Sequence, residues 1–231
     1  MKAIHTLLPA LAAFLPAQGA TLLSEFQPNP TGSDPSTTTV ELTGDANTSF
    51  NLWLLTIDTD FSPSNTVDRA SNISGTFNTE GVATVDVPDF ENPSFTIALV
   101  DTFTGSTGDI LDSNDDLATL GITTVLDAVN IPDASADESN SVIGALGTGT
   151  DFVYTGDEPQ LVFRHGITGT WHAINDPAGT DAYAEDGTVV PFSEFTTDPS
   201  VPTFGAANPV PEPATSLLGG LALLGLLCRR R

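Results

Sequence analysis

The strongest limit on the fold of this 231-residue chain is how often it is interrupted. Runs rich in Thr, Val, Ile and Phe are broken by Gly, Asn, Asp and Pro about every 8 to 12 residues. Segments that short suit strands, and helices of ordinary length do not fit between the breaks. Leu117 to Val129 is the one stretch suited to a turn or a short helix. No self-similarity of solenoid period is present. The expected fold class is all-β, an immunoglobulin-like β-sandwich.

Individual strands follow from the pattern. Thr21 to Phe26 is the first and Thr38 to Leu42 the second, separated by the proline-rich turn Pro28 to Pro35. Phe50 to Asp58 carries Leu52, Leu54 and Thr56 on one face and Trp53, Leu55 and Ile57 on the other. Apolar groups on both faces predict a strand inside the fold. Ile73 to Phe77 is short. Val82 to Val87 alternates, with Ala83, Val85 and Val87 sharing a face. Phe95 to Val100 is almost wholly apolar and is expected at the centre of a sheet. Asp151 to Tyr154 and Gln160 to His165 are expected to pair around Gly156 to Pro159, and Gly169 to Ile174 is a further strand.

Both ends depart from this pattern. Residues 1–19 have a basic Lys2, an apolar stretch from Ile4 to Phe14, and Ala17 and Gly19 at the −3 and −1 positions. This is the layout of a signal peptide, a helix in its apolar part, cut before Ala20. At the other end come Pro211, Glu212 and Pro213, then the apolar run Ser216 to Leu227, then Arg229, Arg230 and Arg231. Prolines keep Glu212 extended. The apolar run is a short transmembrane helix, below the roughly 20 residues of an ordinary span, and the arginines stay cytoplasmic. These three parts in this order resemble the PEP-CTERM sorting signal of Gram-negative, biofilm-forming bacteria. The resemblance implies an exosortase-type membrane protease as partner, cutting near Pro211 to Pro213. It implies transient residence in the inner membrane, then the cell surface or the extracellular space. An ordinary C-terminal anchor is the alternative. The expected organisation is a signal peptide over 1–19, a β-sandwich over 20–209 and a sorting tail over 210–231.

Charge narrows the function. The ends hold four of the six basic residues, leaving Arg69 and Arg164 between them. All 30 acidic residues lie from Glu25 to Glu212, so that stretch carries a net −28. Such a charge repels phosphate backbones and argues against nucleic-acid binding. It favours solubility and divalent counter-ions. The lone cysteine, Cys228, sits in the tail, so the body forms no disulfide despite export.

A second resemblance brackets the body. Leu23-Ser24-Glu25-Phe26-Gln27-Pro28-Asn29-Pro30 followed by Val40-Glu41-Leu42 resembles the opening of bacterial lamin-tail domains. Pro202-Thr203-Phe204-Gly205-Ala206-Ala207-Asn208-Pro209 is similar to that family's closing segment. The family's Leu-x-Gly-Trp strand is missing, and Asn51-Leu52-Trp53-Leu54 stands nearby without the glycine. The resemblance implies an immunoglobulin-like fold and roles in binding or surface attachment, without fixing a ligand.

Chemical sites are sparse. Asp109, Asp112, Asn114 and Asp116 form the best metal candidate. Asp112, Asn114 and Asp116 take alternate positions of an acidic calcium loop, but Leu117 and Thr123 replace the Gly and Glu of an EF-hand, so an irregular Ca2+ loop or a solvated acidic loop is expected. His165 and His172 flank Arg164 and Trp171, and a hairpin at Gly166 to Gly169 would bring the imidazoles together, for zinc, for a proton shuttle or as part of a packed strand pair. Arg164 is expected to neutralise an acidic neighbour. No Gly-x-Ser-x-Gly elbow is present. The expected function is that of a non-catalytic exported protein of the cell surface or exopolysaccharide matrix. The alternatives are a secreted hydrolase of glycan or peptide, with paired acids or the His165 and His172 pair at its site, and a carbohydrate-binding module, which would need Trp53 or Trp171 exposed.

Overall fold

A computed structural model of the chain describes residues 20–32, 35–60, 65–90, 94–166 and 168–209. The signal segment 1–19, Pro211, Glu212, Pro213, the apolar run and Arg229, Arg230 and Arg231 lie outside the described residues. Among the described residues no helix is long and apolar enough to cross a membrane.

In chain order the strands are β1 (Leu22–Phe26), β2 (Thr37–Thr43), β3 (Ser49–Asp58), β4 (Thr66–Thr76), β5 (Val82–Pro88) and β6 (Phe95–Val100). They continue with β7 (Val125–Ile131), β8 (Thr150–Asp151), β9 (Leu161–Arg164), β10 (Trp171–Ile174), β11 (Asp181–Ala184) and β12 (Val189–Pro191). Two short helices, α1 (Asn114–Thr119) and α2 (Ile143–Leu146), interrupt them. The fold is mostly β and sandwich-like. A seven-stranded sheet runs β12-β11-β10-β9-β1-β2-β5, and a five-stranded sheet runs β4-β3-β6-β7-β8.

The main core lies between the sheets. Leu23, Phe26, Val40, Leu42, Val87, Val162 and Trp171 face Leu54, Ile73, Phe95, Ile97, Leu99 and Val129. Phe26 bridges this layer, edge-on to Phe90 at 5.8 Å and to Trp171 at 5.9 Å. The opposite face of the five-stranded sheet is covered as well. Leu55, Ile57, Ala98 and Val100 meet Phe103, Leu111, Leu120 and Ile122 and the Leu146 end of α2. This second layer is why β3 is apolar on both faces. It also places β6, buried at all six residues, in the middle of its sheet between β3 and β7.

The structure corrects two of these expectations and adds strands to the rest. The stretch from Leu117 to Val129 holds the end of a short helix, α1, which stops at Thr119, and it also runs into β7 (Val125–Ile131), a buried strand beside β6 that was not expected. Ile73 to Thr76 is the far part of the eleven-residue β4, and Phe77 lies just beyond its end. Asp151 to Tyr154 does not pair with Gln160 to His165; β8 pairs parallel with β7, and β9 pairs with β1 and β10. The cause is Phe152, whose ring enters the core and whose N–H donates to Asn130 O at 3.1 Å, carrying the chain from one sheet to the other. Strands β11 and β12 extend the seven-stranded sheet beyond any expected element.

Candidate functional site

The outer face of the seven-stranded sheet carries the unusual chemistry. Val40 and Leu42 point into the core, so Glu41 between them points outward. Opposite it, β1 contains a bulge. Leu23 pairs with Leu42 and Glu25 with Glu41, leaving Ser24 as the extra residue. The bulge lets the Ser24 hydroxyl, like Glu25, reach this face while Leu23 and Phe26 stay in the core. Two glutamates therefore sit side by side on adjacent strands, at 1% and 0% exposure.

Their cover is the closing segment of the body. Thr203 N–H donates to Glu25 Oε1 at 2.8 Å and Oε2 at 3.1 Å, and Thr203 Oγ1 lies 2.7 Å from Oε2. Gly205 N–H donates to Glu41 Oε2 at 2.7 Å, and Ser24 Oγ donates to Oε1 at 2.8 Å. The segment turns tightly, with Ala206 N–H on Thr203 O at 2.9 Å and Gly205 at φ +85°. A Cβ on Gly205 would meet nothing within 4 Å, so the left-handed backbone, not space, asks for glycine there. Asn208, 5% exposed, closes the strap: its Nδ2 donates to Ser24 O (3.0 Å), Ser24 Oγ (2.9 Å) and Arg164 O (2.9 Å).

Burial pushes the Glu41 carboxyl up to about 7, against the pull of the Ser24 and Gly205 donors and with help from Glu25. Burial likewise raises Glu25, against its Thr203 donors. Thr203 Oγ1, a donor to Glu25 Oε2, also lies 3.0 Å from Asn208 Oδ1, so its one hydrogen is shared between the two acceptors.

Arg164 finds its expected acid in Asp127 on β7. Nη2 donates to Asp127 Oδ2 at 2.6 Å, Nε donates to Leu23 O at 3.1 Å, and the guanidinium lies 4.5 Å from the Trp171 ring centroid. Leu23 N–H adds a bond to Asp127 Oδ2 at 3.0 Å, so this pair fastens the two sheets across β1. Trp171 is fully buried and Trp53 packs on Phe103 at 5.6 Å, so the two tryptophans do not form an exposed row.

The β9–β10 hairpin does bring the histidines together, with ring centroids 6.2 Å apart. His165 Nδ1 accepts the Thr168 N–H at 2.8 Å, which places a neutral imidazole's proton on Nε2 and occupies the other nitrogen's lone pair. His172 stacks on Phe163 at 5.5 Å and meets the Phe195 edge at 5.4 Å. Burial drives His172 down to about 4, with His165 adding to the fall and a Thr170 backbone bond opposing it. Among the described residues no group of three or more His, Cys, Asp and Glu side chains is placed to hold a metal ion. A cavity of about 410 Å³ lies beside the strap, lined by Ser24, Glu41, Glu80, Arg164, His165 and Asn208 among others.

The acidic loop is used locally. Asp116 Oδ2 accepts Ser113 N–H (3.0 Å), Ser113 Oγ (2.8 Å) and Asp112 N–H (3.1 Å), which is how α1 begins. Asp109 Oδ2 accepts Ser106 N–H at 2.7 Å. The hydrogen bonds thus hold Asp109 to the turn before it and Asp116 to the start of α1.

Sequence reasoning named Glu25, Glu41, Thr203, Gly205 and Asn208 as marks of a resemblance and did not foresee that they form one buried network. Asp127 was missed altogether. A glutamate between apolar neighbours in a strand is the available signal, and it does not distinguish a buried carboxyl from a solvated one.

Compared with known families, the chain matches the PEP-CTERM protein-sorting motif over residues 209–231. No curated protein and no solved structure matches it. A PEP-CTERM motif implies export, exosortase processing and sorting to the surface. The matched segment begins at Pro209, the residue after the last anchor of the strap.

Proposed function

We propose that this chain is a non-catalytic structural or adhesive protein of the cell surface or exopolysaccharide matrix. Its body, residues 20–209, is released or transferred whole when the tail is cut near Pro211 to Pro213. The carrying observation is the abutment of strap and sorting motif. Asn208 is fixed to Ser24 and Arg164, and four residues of chain from there to Glu212 reach at most about 14 Å. The cut therefore falls beside a finished fold and leaves no loose end of any length. The immunoglobulin-like, lamin-tail-like reading of the body has support of its own. The three sequence segments that suggested it are 17 to 184 residues apart and meet in one network. Divalent cations enter as counter-ions of the acidic surface, with Asp109, Asp112, Asn114 and Asp116 as the stretch proposed to take Ca2+.

Mass spectrometry of the exported protein tests this reading. The expected species begins at Ala20 and ends within Val210 to Pro213, and Glu212→Ala retains the arginine tail in the inner-membrane fraction. An intact chain in the cytosol would overturn it.

The cavity favours a second reading, a secreted hydrolase or carbohydrate-binding module for extracellular glycans. It places Glu41 and Glu80 in one concave site with Arg164 and His165. Turnover of a glycan by the exported protein, abolished by Glu80→Gln, would establish it over the first.

A further inference from the structure

The two sheets end in four edges, and three of them are poor templates for another strand. β12 has three residues and ends in Pro191, and β8 has two. β5 carries Asp86 and ends in Pro88. These are the features that keep sheet edges from pairing with other chains. β4 differs. It is eleven residues long and pairs with β3 throughout. Among the described residues its outer side is hydrogen-bonded at the start, where Val67 N–H donates to Asp109 O and Val67 O accepts from Gly108 N–H, both at 2.8 Å. The bulge at Asp68 and the Asp68–Arg69 ion pair also belong to that covered end. From Ala70 to Thr76 no strand is hydrogen-bonded to the outer side of β4 among the described residues, although β5 of the other sheet comes close to it.

This open stretch is also neutral. Residues 70–79 contain no charged side chain in a chain carrying 30 acidic residues. Asn72, Ser74 and Thr76 are its exposed residues, while Ile73 is anchored in the core and keeps the strand in register. Charge selects the occupant. Two copies of so acidic a body repel one another over most contacts, and this edge brings no carboxylates together. A symmetric antiparallel pair centred on Ile73 sets Ala70 against Thr76 and Asn72 against Ser74, with every facing side chain uncharged.

We propose that the β4 edge, Ala70 to Thr76, is the docking surface for a second copy of this chain, joining two five-stranded sheets into one continuous ten-stranded sheet. Pairing then rests on main-chain hydrogen bonds, which the like charges of the two bodies weaken only through the solvent, so added salt tightens it.

Sedimentation of the full chain, kept in a mild detergent for its apolar tail, tests the proposal. Dimers are expected at micromolar concentration, strengthened by salt. Asn72→Glu with Ser74→Glu sets four carboxylates across the junction and is expected to weaken the dimer about tenfold or more, with circular dichroism unchanged because both side chains are exposed. Val189→Glu, on the β12 edge, is expected to leave the dimer intact. A chain that stays monomeric at every concentration overturns the proposal. So does a dimer that survives the paired glutamates, since its contact then lies in the tail or on another face.

Discussion

Glu41 and Asp116 accept the same kinds of hydrogen bond and respond in opposite directions. Each carboxylate takes a serine hydroxyl and backbone N–H groups, from Ser24 and Gly205 in one case and from Ser113 and Asp112 in the other. Asp116 lies at the surface, and its Ser113 and Asp112 donors lower it. Glu41 lies beneath the closing strap, and burial lifts it to about 7 despite its donors. Asp101 falls between these cases. Burial pushes it up, yet donors from Thr123, Thr124 and Thr102 outweigh that and draw it down to about 2. The donor set alone does not fix the ionisation of an acid; the water it has lost decides the direction. The acids of this protein thus divide into a solvated majority that gives charge and a buried few that give structure.

The sharpest way to break this division is at Arg164. Arg164→Ala leaves Asp127 buried without its cation and is expected to cost about 3–5 kcal/mol, measured by urea unfolding. A loss below about 1 kcal/mol would put Asp127 with the solvated acids. Asn208→Ala comes next. It strands the Ser24 and Arg164 carbonyls and is expected to cost about 2 kcal/mol. The loosened strap should also become the first site of limited proteolysis, and unchanged protection would show that the carboxylates hold it without Asn208.

The third test uses pH. Folding raises the Glu41 carboxyl from 4.5 to about 7, so its contribution to stability is fully present below about 4.5 and is lost as pH rises to 7. His172, lowered from 6.5 to about 4, has the opposite slope, gaining stability over that range. The two largely cancel below pH 6.5, and Glu41 acts alone just above it. Glu41→Gln mimics the protonated form. Variant and parent should be close near pH 5, with the variant more stable by on the order of 2 kcal/mol at pH 8. Parallel curves would mean that Glu41 is ionised throughout.

Smaller effects belong to the loop. Asp116→Ala removes the N3 acid that accepts the Ser113 N–H in the capping box of a six-residue helix and should lower Tm slightly, with the loss appearing only above the pH at which the aspartate ionises. Smallest of all is the response to calcium. Calcium should raise Tm a little through the stretch from Asp109 to Asp116, and by less in Asp112→Asn than in the parent. An equal rise in the two would reduce calcium to screening of the net charge and remove Asp109, Asp112, Asn114 and Asp116 as a Ca2+ site.

Legibility followed locality. β1, β2, β3, β5 and β6 could be read because each carries its own alternation or apolar run between turn residues. β7 could not, because Asp127 and Asn130 interrupt its apolar pattern, and both are buried only because Arg164 and Thr96 receive them. The pairing of β8 with β7 escaped because a two-residue parallel contact leaves no local trace. The hairpin that faces His165 with His172 was legible from Gly166 to Gly169, while their neutral, packed state required Phe163, Phe195 and Thr168.

By itself the sequence determined the punctuation into strands, the acidity and the sorting address, since each depends on residues adjacent in the chain. The tertiary structure alone decided which few carboxyls lose their water. Glu25 and Glu41 become buried when residues 203–208 fold back over them, more than 160 positions along the chain. Desolvation belongs to that assembled layer, and no short stretch of sequence contains it.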